Sequence, residues 1–265
     1  MLSAKRFYTC ILMPSSCIFI PMRNTRIYHP DELATGQEVE LEAQASTHLT
    51  RVLRAKEQMP VTLFDGSGSE YAAHIIKIQR NRTWVRIKSV ETISRESPLD
   101  ISLAQGISRG ERMDYTIQKA VELGVSRIIP LFTERSIARL KPDRLHKRQK
   151  HWHGVAVSAC EQCGRNVVPD INEPDNLDQW VSASEKTSLR LIMDPEATVS
   201  INDTAYQGEK IILIIGPEGG LSDREIDLCR KQGFTGVRMG PRVLRTETAA
   251  LTALSLIQGL WGDLD

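Results

Sequence analysis

The sequence predicts an α/β protein in which a parallel sheet covered by helices follows a smaller module made mainly of strands. Two observations predict this division. Up to Pro98 the apolar residues fall in short runs that alternate with polar ones, as they do in half-buried strands. From Leu99 onwards, apolar strand-like runs alternate with segments of helical spacing, which is typical of a parallel sheet with helices on both faces.

Composition and charge are those of a globular chain of about two domains. Of its 265 residues, 41% are apolar and 25% are charged, which excludes a disordered or collagen-like protein. The net charge of +1 means that any affinity for nucleic acid must come from local patches. Five scattered cysteines form no disulfide framework, so we expect a reducing, cytoplasmic setting, and no run is long enough to predict a membrane span.

The first 21 residues are expected to precede the folded chain. Lys5 and Arg6 stand before an apolar stretch, as in a signal peptide, but Pro14 interrupts this stretch and no cleavage site of small residues follows. Met22 then opens a polar run. We interpret residues 1–21 as an extension from a misassigned start, or as a disordered tail.

The first module, residues 22–92, is predicted to contain a hairpin, one further strand and a short helix. These elements are the strands 61–64, 71–78 and 84–90 and the helix 45–53. The turn of the hairpin is Asp-Gly-Ser-Gly at 65–68, a sequence that favours chain reversal. The polar residues 93–99 are predicted to link this module to the second.

The second module, residues 100–265, is predicted to alternate five strands with four helices. The strands are 101–107, 127–132, 189–193, 210–215 and 237–239, and the helices are 111–123, 143–162, 223–233 and 246–261. Gly124 lies where a glycine often ends a helix. Ser222 and Glu225 fit a capping box, and Thr246 is predicted to cap the last helix.

Three loops follow apolar strands at their carboxyl ends, where parallel sheets bind ligands. They are 193–196, 216–220 and 240–248. The second loop, Gly-Pro-Glu-Gly-Gly, would let the backbone approach a ligand closely, although glycine-rich turns are common in α/β proteins. It matches neither the dinucleotide fingerprint nor the phosphate loop.

The third loop carries cations where a helix dipole does not favour them. Thr246 and Glu247 could simply cap the following helix. Capping does not explain Arg242 and Arg245, because a cation gains nothing at the positive end of a helix. These arginines suggest that an anionic group approaches the loop.

Two of these loops resemble the signature sequences of a known enzyme family. Ile-Gly-Pro-Glu-Gly-Gly-Leu-Ser at 215–222 and Leu-Arg-Thr-Glu-Thr-Ala at 244–249 are similar to those of the small-subunit ribosomal RNA uracil-N3 methyltransferases. This RsmE family belongs to the knotted SPOUT methyltransferases. Further similar segments follow in order between Met22 and Asp265, at 23–28, 51–54, 64–66, 108–113, 118–124 and 161–166.

The resemblance implies a fold, a cofactor and partners. The fold would be a PUA-like β-barrel domain followed by a SPOUT domain with a deep trefoil knot, acting as a homodimer; such knots are exceptional. S-adenosyl-L-methionine would lie between the three loops, and its substrate would be small-subunit ribosomal RNA, free or in the assembled 30S particle. The residues implied to hold the cofactor are Met193, Ile215, Gly216, Gly219, Gly220, Met239, Leu244, Thr248 and Ala249.

The implied chemistry requires a base or a group that stabilises an anion. Uracil N3 is a poor nucleophile until its weakly acidic proton leaves. Arg245 is the first candidate, as a stabiliser of the anion, and Glu247 is the second, as the proton acceptor, with Glu218 as an alternative acceptor. Arg245 could instead hold a phosphate or the second copy of the chain.

Basic residues provide candidate RNA contacts in both modules. They are Arg23, Arg26, Arg51 and Arg54 in the first module and Arg109, Arg165 and the neighbouring Asn166 in the second. Residues 135–150 carry seven bases and one acid, enough to follow a phosphate backbone, although such runs are often just a solvated helix face. Cys160 and Cys163 lack two further ligands at zinc spacing, so we expect packed thiols and no metal site.

Two other functions are weighed against the methylation of N3. Ribose 2′-O methylation occurs within the same superfamily, but the similar segments in the first module and at 161–165 argue against it. A non-catalytic RNA-binding module would be expected to have damaged cofactor loops, whereas both signature loops are intact.

Overall fold

The computed structural model describes residues 25–136, 142–186, 189–208 and 210–264. The expected N-terminal extension, residues 1–21, lies outside these ranges, as does Arg23.

Five strands form the first sheet. They are β1 (Thr25–Tyr28), β2 (Glu38–Glu40), β3 (Pro60–Phe64), β4 (Ser69–Gln79) and β5 (Arg82–Thr92), in the order β1-β3-β4-β5-β2. The predicted hairpin joins β3 to β4, and Asp65 holds its turn by accepting hydrogen bonds from the Ser67 N–H at 3.0 Å and the Tyr71 hydroxyl at 2.9 Å. The strand predicted at 84–90 is the centre of β5. Both predictions are confirmed.

The single helix predicted at 45–53 is instead two short pieces. Helix α1 (Ala43–Thr47) is followed by a wider, π-helical turn (His48–Val52). The Thr47 hydroxyl donates to the Ala43 carbonyl at 2.7 Å, and the Thr50 hydroxyl donates to the Ser46 carbonyl at 2.8 Å. Such side-chain bonds to the preceding turn compete with the regular helical pattern, which periodicity alone does not reveal.

The second sheet is parallel throughout. Its elements are β6 (Ile101–Gly106), α2 (Glu111–Glu122), β7 (Arg127–Phe132), α3 (Pro142–Cys163), β8 (Asp170–Ile171), β9 (Asp175–Asn176), α4 (Leu177–Ala183), β10 (Leu189–Met193), β11 (Val199–Ser200), β12 (Ile211–Ile215), α5 (Asp223–Lys231), β13 (Thr235–Arg238) and α6 (Thr246–Trp261). The strand order is β11-β13-β10-β12-β6-β7-β8, with β9 beside β7. All nine predicted elements are present, and the short β8, β9, β11 and α4 are additional.

Helices cover both faces of this sheet. Strand β12 is buried along its whole length. Its Leu213 packs in a core cluster with Ile117 of α2, Trp152 of α3 and Ile257 of α6, whereas its Ile214 packs on the opposite face among residues of α4 and α5. A strand buried on both sides needs the continuous aliphatic run that marked it in the sequence. The predicted α/β fold class is therefore confirmed, and the knot stays a prediction. Within the described ranges, no helix is both long and apolar enough to span a membrane.

Candidate active site

The three loops that follow β10, β12 and β13 surround a cavity of about 740 Å³. They meet because these strands are neighbours in a parallel sheet, so that their carboxyl ends lie at one edge. A cavity of this size is in the usual range for small-molecule sites. Eight of the nine residues expected to hold the cofactor line it, namely Met193, Ile215, Gly216, Gly219, Gly220, Met239, Leu244 and Ala249. The ninth, Thr248, is exposed on α6 and does not contribute to the wall.

The glycine loop, residues 216–220, is held from two sides. At the end of β6, a Cβ on Gly106 would lie 2.5 Å from the Pro217 nitrogen, so the close approach requires glycine. On the other side, Arg135 Nη1 donates to the carbonyls of Gly219 and Leu221, each at 3.1 Å. The shape of the loop therefore depends on contacts from two other segments of the chain.

The start of α6 is tied to the same loop through Thr246. The sequence predicts Thr246 as the cap of α6, and this prediction is wrong by one residue. Thr246 is the first residue of the helix, and Arg245 occupies the N-cap position. The Thr246 hydroxyl donates to the Gly216 carbonyl at 2.6 Å and accepts from Gln105 Nε2 at 2.9 Å. The Arg245 side chain makes no capping bond, so it satisfies none of the first N–H groups of α6, which lie at the cavity wall.

The first loop is fixed by a buried carboxylate. Asp194 is 2% exposed, and its Oδ2 lies 2.7 Å from Arg230 Nη2. Its Oδ1 accepts a hydrogen bond from the Glu196 N–H at 2.9 Å. The capping box predicted at Ser222 and Glu225, which begins α5 just beyond the glycine loop, is also present.

Two carboxylates and an arginine meet at the mouth of the cavity. Glu218 Oε1 accepts hydrogen bonds from Arg112 Nη1 at 2.9 Å and from the Arg109 N–H at 2.8 Å. Glu247 Oε1 lies 4.0 Å from Arg112 Nε. The Glu247 Oε2 atom is buried and has no hydrogen-bond partner in the part of the chain that the structure describes, a condition that native structures rarely leave without a function.

The two carboxylates differ as potential bases. Burial raises the pKa of the Glu218 carboxyl, but the hydrogen bonds from Arg109 and Arg112 and the charge of Arg112 act against burial and hold this pKa below its usual value. A carboxylate stabilised in this way is a poor proton acceptor. Glu247 makes no such hydrogen bonds among the described residues.

Comparison with known proteins identifies the family. The family model for the RNA methyltransferase domain matches residues 95–258, and the family model for the RNA methyltransferase PUA domain matches residues 41–88. Ribosomal RNA small subunit methyltransferase E of Buchnera aphidicola subsp. Schizaphis graminum is 35% identical over 242 residues, which cover 91% of this chain and 98% of the relative. The chain belongs to the ribosomal RNA small subunit methyltransferase E family. The resemblance seen in the sequence is thus confirmed, including the N-terminal PUA-like domain.

Two solved structures that are similar to this chain have the same fold. A ribosomal RNA small subunit methyltransferase E from Neisseria gonorrhoeae, bound to S-adenosyl methionine, superposes with a TM-score of 0.85 at 38% identity. Lpg2936 from Legionella pneumophila, in complex with the cofactor SAM, superposes with a TM-score of 0.89 at 45% identity. Each comparison covers 91% of this chain and 100% of the other.

Three residues expected to bind RNA instead form a buried joint between the PUA-like domain and the methyltransferase domain. Arg26 pairs with Glu70 and donates to Asn166 Oδ1 at 2.6 Å. Arg165 is 5% exposed and donates to Glu96 and to two backbone carbonyls, and Asn166 is 1% exposed. Arg165 and Asn166 are buried and hydrogen-bonded within the joint, so they offer no surface to a phosphate. The Arg26 side chain is 13% exposed and is held by its pairing with Glu70. We therefore reassign all three from RNA binding to the domain joint.

Other predicted RNA contacts lie on the surface. Arg51, Arg54 and Arg109 are exposed. In the basic run, Lys147 and Lys150 are exposed on α3, whereas Arg139, Lys141 and the side chain of Arg144 lie outside the described residues. Arg242 and Arg245 are exposed at the edge of the cavity.

The cysteine pair on α3 packs against the hydrophobic core of the second sheet. Cys160 is fully buried, and this burial raises the pKa of its thiol to about 12. Cys163 is half-buried and free. The described residues contain no group of three or more side chains that could hold a metal ion.

Sequence reasoning missed Arg112 and Gln105 as residues of the site, and it placed Arg135 only in the basic run 135–150. Arg112 and Arg135 reach the glycine loop from α2 and from the segment after β7, and Gln105 reaches Thr246 from β6. Arg112 lies in a segment that resembles the family, 108–113, but only Arg109 was selected from it. No local pattern distinguishes these side chains from ordinary surface or strand residues, because their partners are about 80 to 140 positions away.

Proposed function

We propose that this protein transfers the methyl group of S-adenosylmethionine to N3 of one uridine in small-subunit ribosomal RNA, in the cytoplasm. The observation that carries the proposal is the unpaired Oε2 of Glu247 beside a cavity formed by the three loops. Membership of the family, and the bound S-adenosyl methionine of the Neisseria relative, support the cofactor.

The cavity fits this cofactor in size and in chemistry. Its wall combines apolar side chains, among them Met193, Ile215 and Leu244, with backbone of the glycine loop and the uncapped start of α6. Apolar walls with a few polar groups are typical of cofactor sites. When bound, S-adenosylmethionine supplies an electrophilic methyl group on a positively charged sulfur.

The residues of this chain would activate the base. Glu247 accepts the proton from N3, so that the electron pair stays on the nitrogen as the nucleophile. Glu218 is the weaker candidate, because its donors lower its pKa. Arg245, exposed at the cavity edge, stabilises the negative charge that spreads onto the carbonyl oxygens of the base.

Exposed cations would position the RNA. The accessible cations are Arg51 and Arg54 of the PUA-like domain, Arg109 before α2, and Lys147 on α3. Contacts of this kind with phosphates set the register of a substrate without reading its bases.

A homodimer is the proposed assembly. Helix α6 exposes Leu256 and Leu260 at 36% and 44%, and Val243, which precedes the helix, is 82% exposed. Exposed apolar side chains of this kind are typical of an interaction surface, and the commonest homo-oligomer is a two-fold dimer. Light scattering should find twice the chain mass of 29.8 kDa. Leu260→Glu should reduce the measured mass to that of a single chain. A wild-type monomer at micromolar concentration would overturn the dimer.

The function is tested by identifying the product. Purified protein is incubated with labelled S-adenosylmethionine and either free small-subunit RNA or assembled 30S particles, and the RNA is digested to nucleosides for mass spectrometry. We expect 3-methyluridine at one site. A 2′-O-methylated nucleoside, or no transfer to either substrate, would refute the proposal.

A further inference from the structure

Arg112 lies between two carboxylates at the cavity, and it makes a single hydrogen bond to one of them and none to the other. Its Nη1 donates to Glu218 at 2.9 Å, while its Nε lies 4.0 Å from Glu247, beyond hydrogen-bond distance. The guanidinium has five N–H donors, and only the one to Glu218 makes a hydrogen bond among the described residues. Its side chain is 45% exposed, against 23% and 16% for the two glutamates.

The position of Arg112 is fixed by the glycine loop. Glu218, at the centre of that loop, also accepts the Arg109 N–H at 2.8 Å. The start of α2 is therefore anchored to the loop by two donors to one carboxylate oxygen. Arg112 is held at the cavity while most of its donors stay available.

The N3 edge of uracil is complementary to a protein site that places a hydrogen-bond acceptor beside a hydrogen-bond donor. Its N3–H is flanked by two carbonyl oxygens, which accept hydrogen bonds. In cytosine, N3 has no hydrogen, and an amino group replaces one of these carbonyls. A carboxylate next to a guanidinium therefore matches uracil and mismatches one part of cytosine. Glu247 and Arg112 form such a pair, and rotation about the terminal bond of Glu247, which is torsionally soft, exchanges its two oxygens.

We propose that Arg112 binds a carbonyl oxygen next to N3 of the target base, and that with Glu247 it selects uracil. The inference rests on the proposed function, since it concerns the base that is methylated. Arg112 stabilises the charge that develops on that oxygen when the proton leaves N3. Glu218 acts through Arg112 as a positioning residue.

A purely structural salt bridge would behave differently. An ion pair exposed to this degree contributes little to stability, and its loss would not affect the chemical step once cofactor and RNA are bound. The test therefore separates binding from the rate of methylation at saturation.

The main experiment compares Arg112→Ala and Arg112→Lys with a matched control. Arg127→Ala removes an arginine of similar exposure, 47%, that pairs with Asp170 at the opposite end of the parallel sheet. We expect Arg112→Ala to lose about 100-fold in single-turnover rate, with affinities for S-adenosylmethionine and RNA within threefold of wild type. Arg112→Lys should recover part of the rate, because it keeps the charge but not the planar fork, and Arg127→Ala should stay within twofold. Melting curves verify that each variant is folded, and Arg112→Gln replaces Arg112→Ala if the latter is not.

A second arm tests contact with the base directly. Target RNAs carry 2-thiouridine or 4-thiouridine, in which sulfur replaces one carbonyl oxygen and accepts hydrogen bonds more weakly. One of the two substitutions should slow the wild type at least fivefold and leave the rate of Arg112→Ala unchanged, since the contact is already lost.

The outcomes distinguish the inference from the function on which it rests. If the wild type does not produce 3-methyluridine, the proposed function fails. If it does, the assignment of Arg112 is refuted by either of two results. One is that Arg112→Ala methylates within threefold of the wild-type rate. The other is that thio substitution slows Arg112→Ala by the same factor as the wild type at both carbonyls. A loss confined to cofactor affinity would also refute it.

Discussion

Replacing Thr246 by valine tests whether its hydroxyl ties the start of α6 to the glycine loop. Valine has nearly the same shape but cannot make the 2.6 Å bond to the Gly216 carbonyl or the 2.9 Å bond from Gln105. Each such bond contributes about 0.5–1.5 kcal/mol net, and Thr246 is only 6% exposed, so water does not easily replace them. We expect the free energy of unfolding to fall by about 1–3 kcal/mol, which lowers the melting temperature by about 2–12 °C.

The same change should weaken the binding of S-adenosylmethionine, because Gly216 lines the cavity. We expect the affinity for S-adenosylmethionine to fall about tenfold, or by about 1.4 kcal/mol. Titration calorimetry measures this affinity, and thermal unfolding of the same samples measures the loss of stability. Thr246→Ser keeps the hydroxyl and should bind within twofold of wild type. Thr204→Val is the matched control, since the Thr204 hydroxyl donates at 2.6 Å to the Ile201 carbonyl outside the cavity; it should affect stability alone. Wild-type affinity in Thr246→Val, or equal losses in the serine and valine variants, would refute the reasoning.

Three further predictions concern neighbouring residues. Gly219→Val should weaken cofactor binding at least tenfold, because a Cβ there would lie 3.0 Å from the Cβ of Arg135 and displace the loop; equal affinities in calorimetry would contradict this. Arg245→Ala should lose about 100-fold in the single-turnover rate of methylation with RNA affinity nearly intact. Lys147→Ala should instead weaken RNA binding modestly, flatten the salt dependence of that binding and keep the rate at saturating RNA. If Arg245→Ala weakens RNA binding and keeps the saturated rate, Arg245 is a phosphate contact. Since the pKa of Glu218 is held below its ordinary 4.5, its ionised form stabilises the fold above that pH, and this contribution is lost as the pH falls through the folded pKa. The stability difference between wild type and Glu218→Gln should therefore shrink on going from pH 7 to pH 3 in urea unfolding, and a constant difference would rule out this role.

The long elements could be predicted because their patterns are local. Helices α2, α3 and α6 begin and end within one residue of their predicted bounds, since an amphipathic stripe repeats several times along each of them. Strands of two residues, such as β8 and β9, depend on pairing with β7 and have no pattern of their own. The cavity could also be predicted, because parallel topology brings successive loops to one edge.

Individual side chains within the site could not be assigned in this way. Thr246 has the sequence of a helix cap, yet its hydroxyl bonds to a loop 30 positions away. The sequence predicts a glycine at 219 because a ligand approaches it, and the structure adds a second reason, since a Cβ there would lie 3.0 Å from the Cβ of Arg135. In both cases the residue type was informative, but the partner that explains it lies on another element.

The arginines show most clearly what decides between structure and function in this fold. Arg26, Arg165 and Arg112 are indistinguishable by type or by local charge, and all three lie in segments that resemble the family. Burial separates them: Arg165 is 5% exposed and uses four of its five N–H donors on a glutamate and two carbonyls inside the domain joint, so it has no accessible surface for a ligand. Arg112 uses one donor to fix its position and keeps the others at the cavity. A cation that is anchored but not saturated can bind a substrate without first breaking its own contacts, which is the preorganisation that catalysis requires.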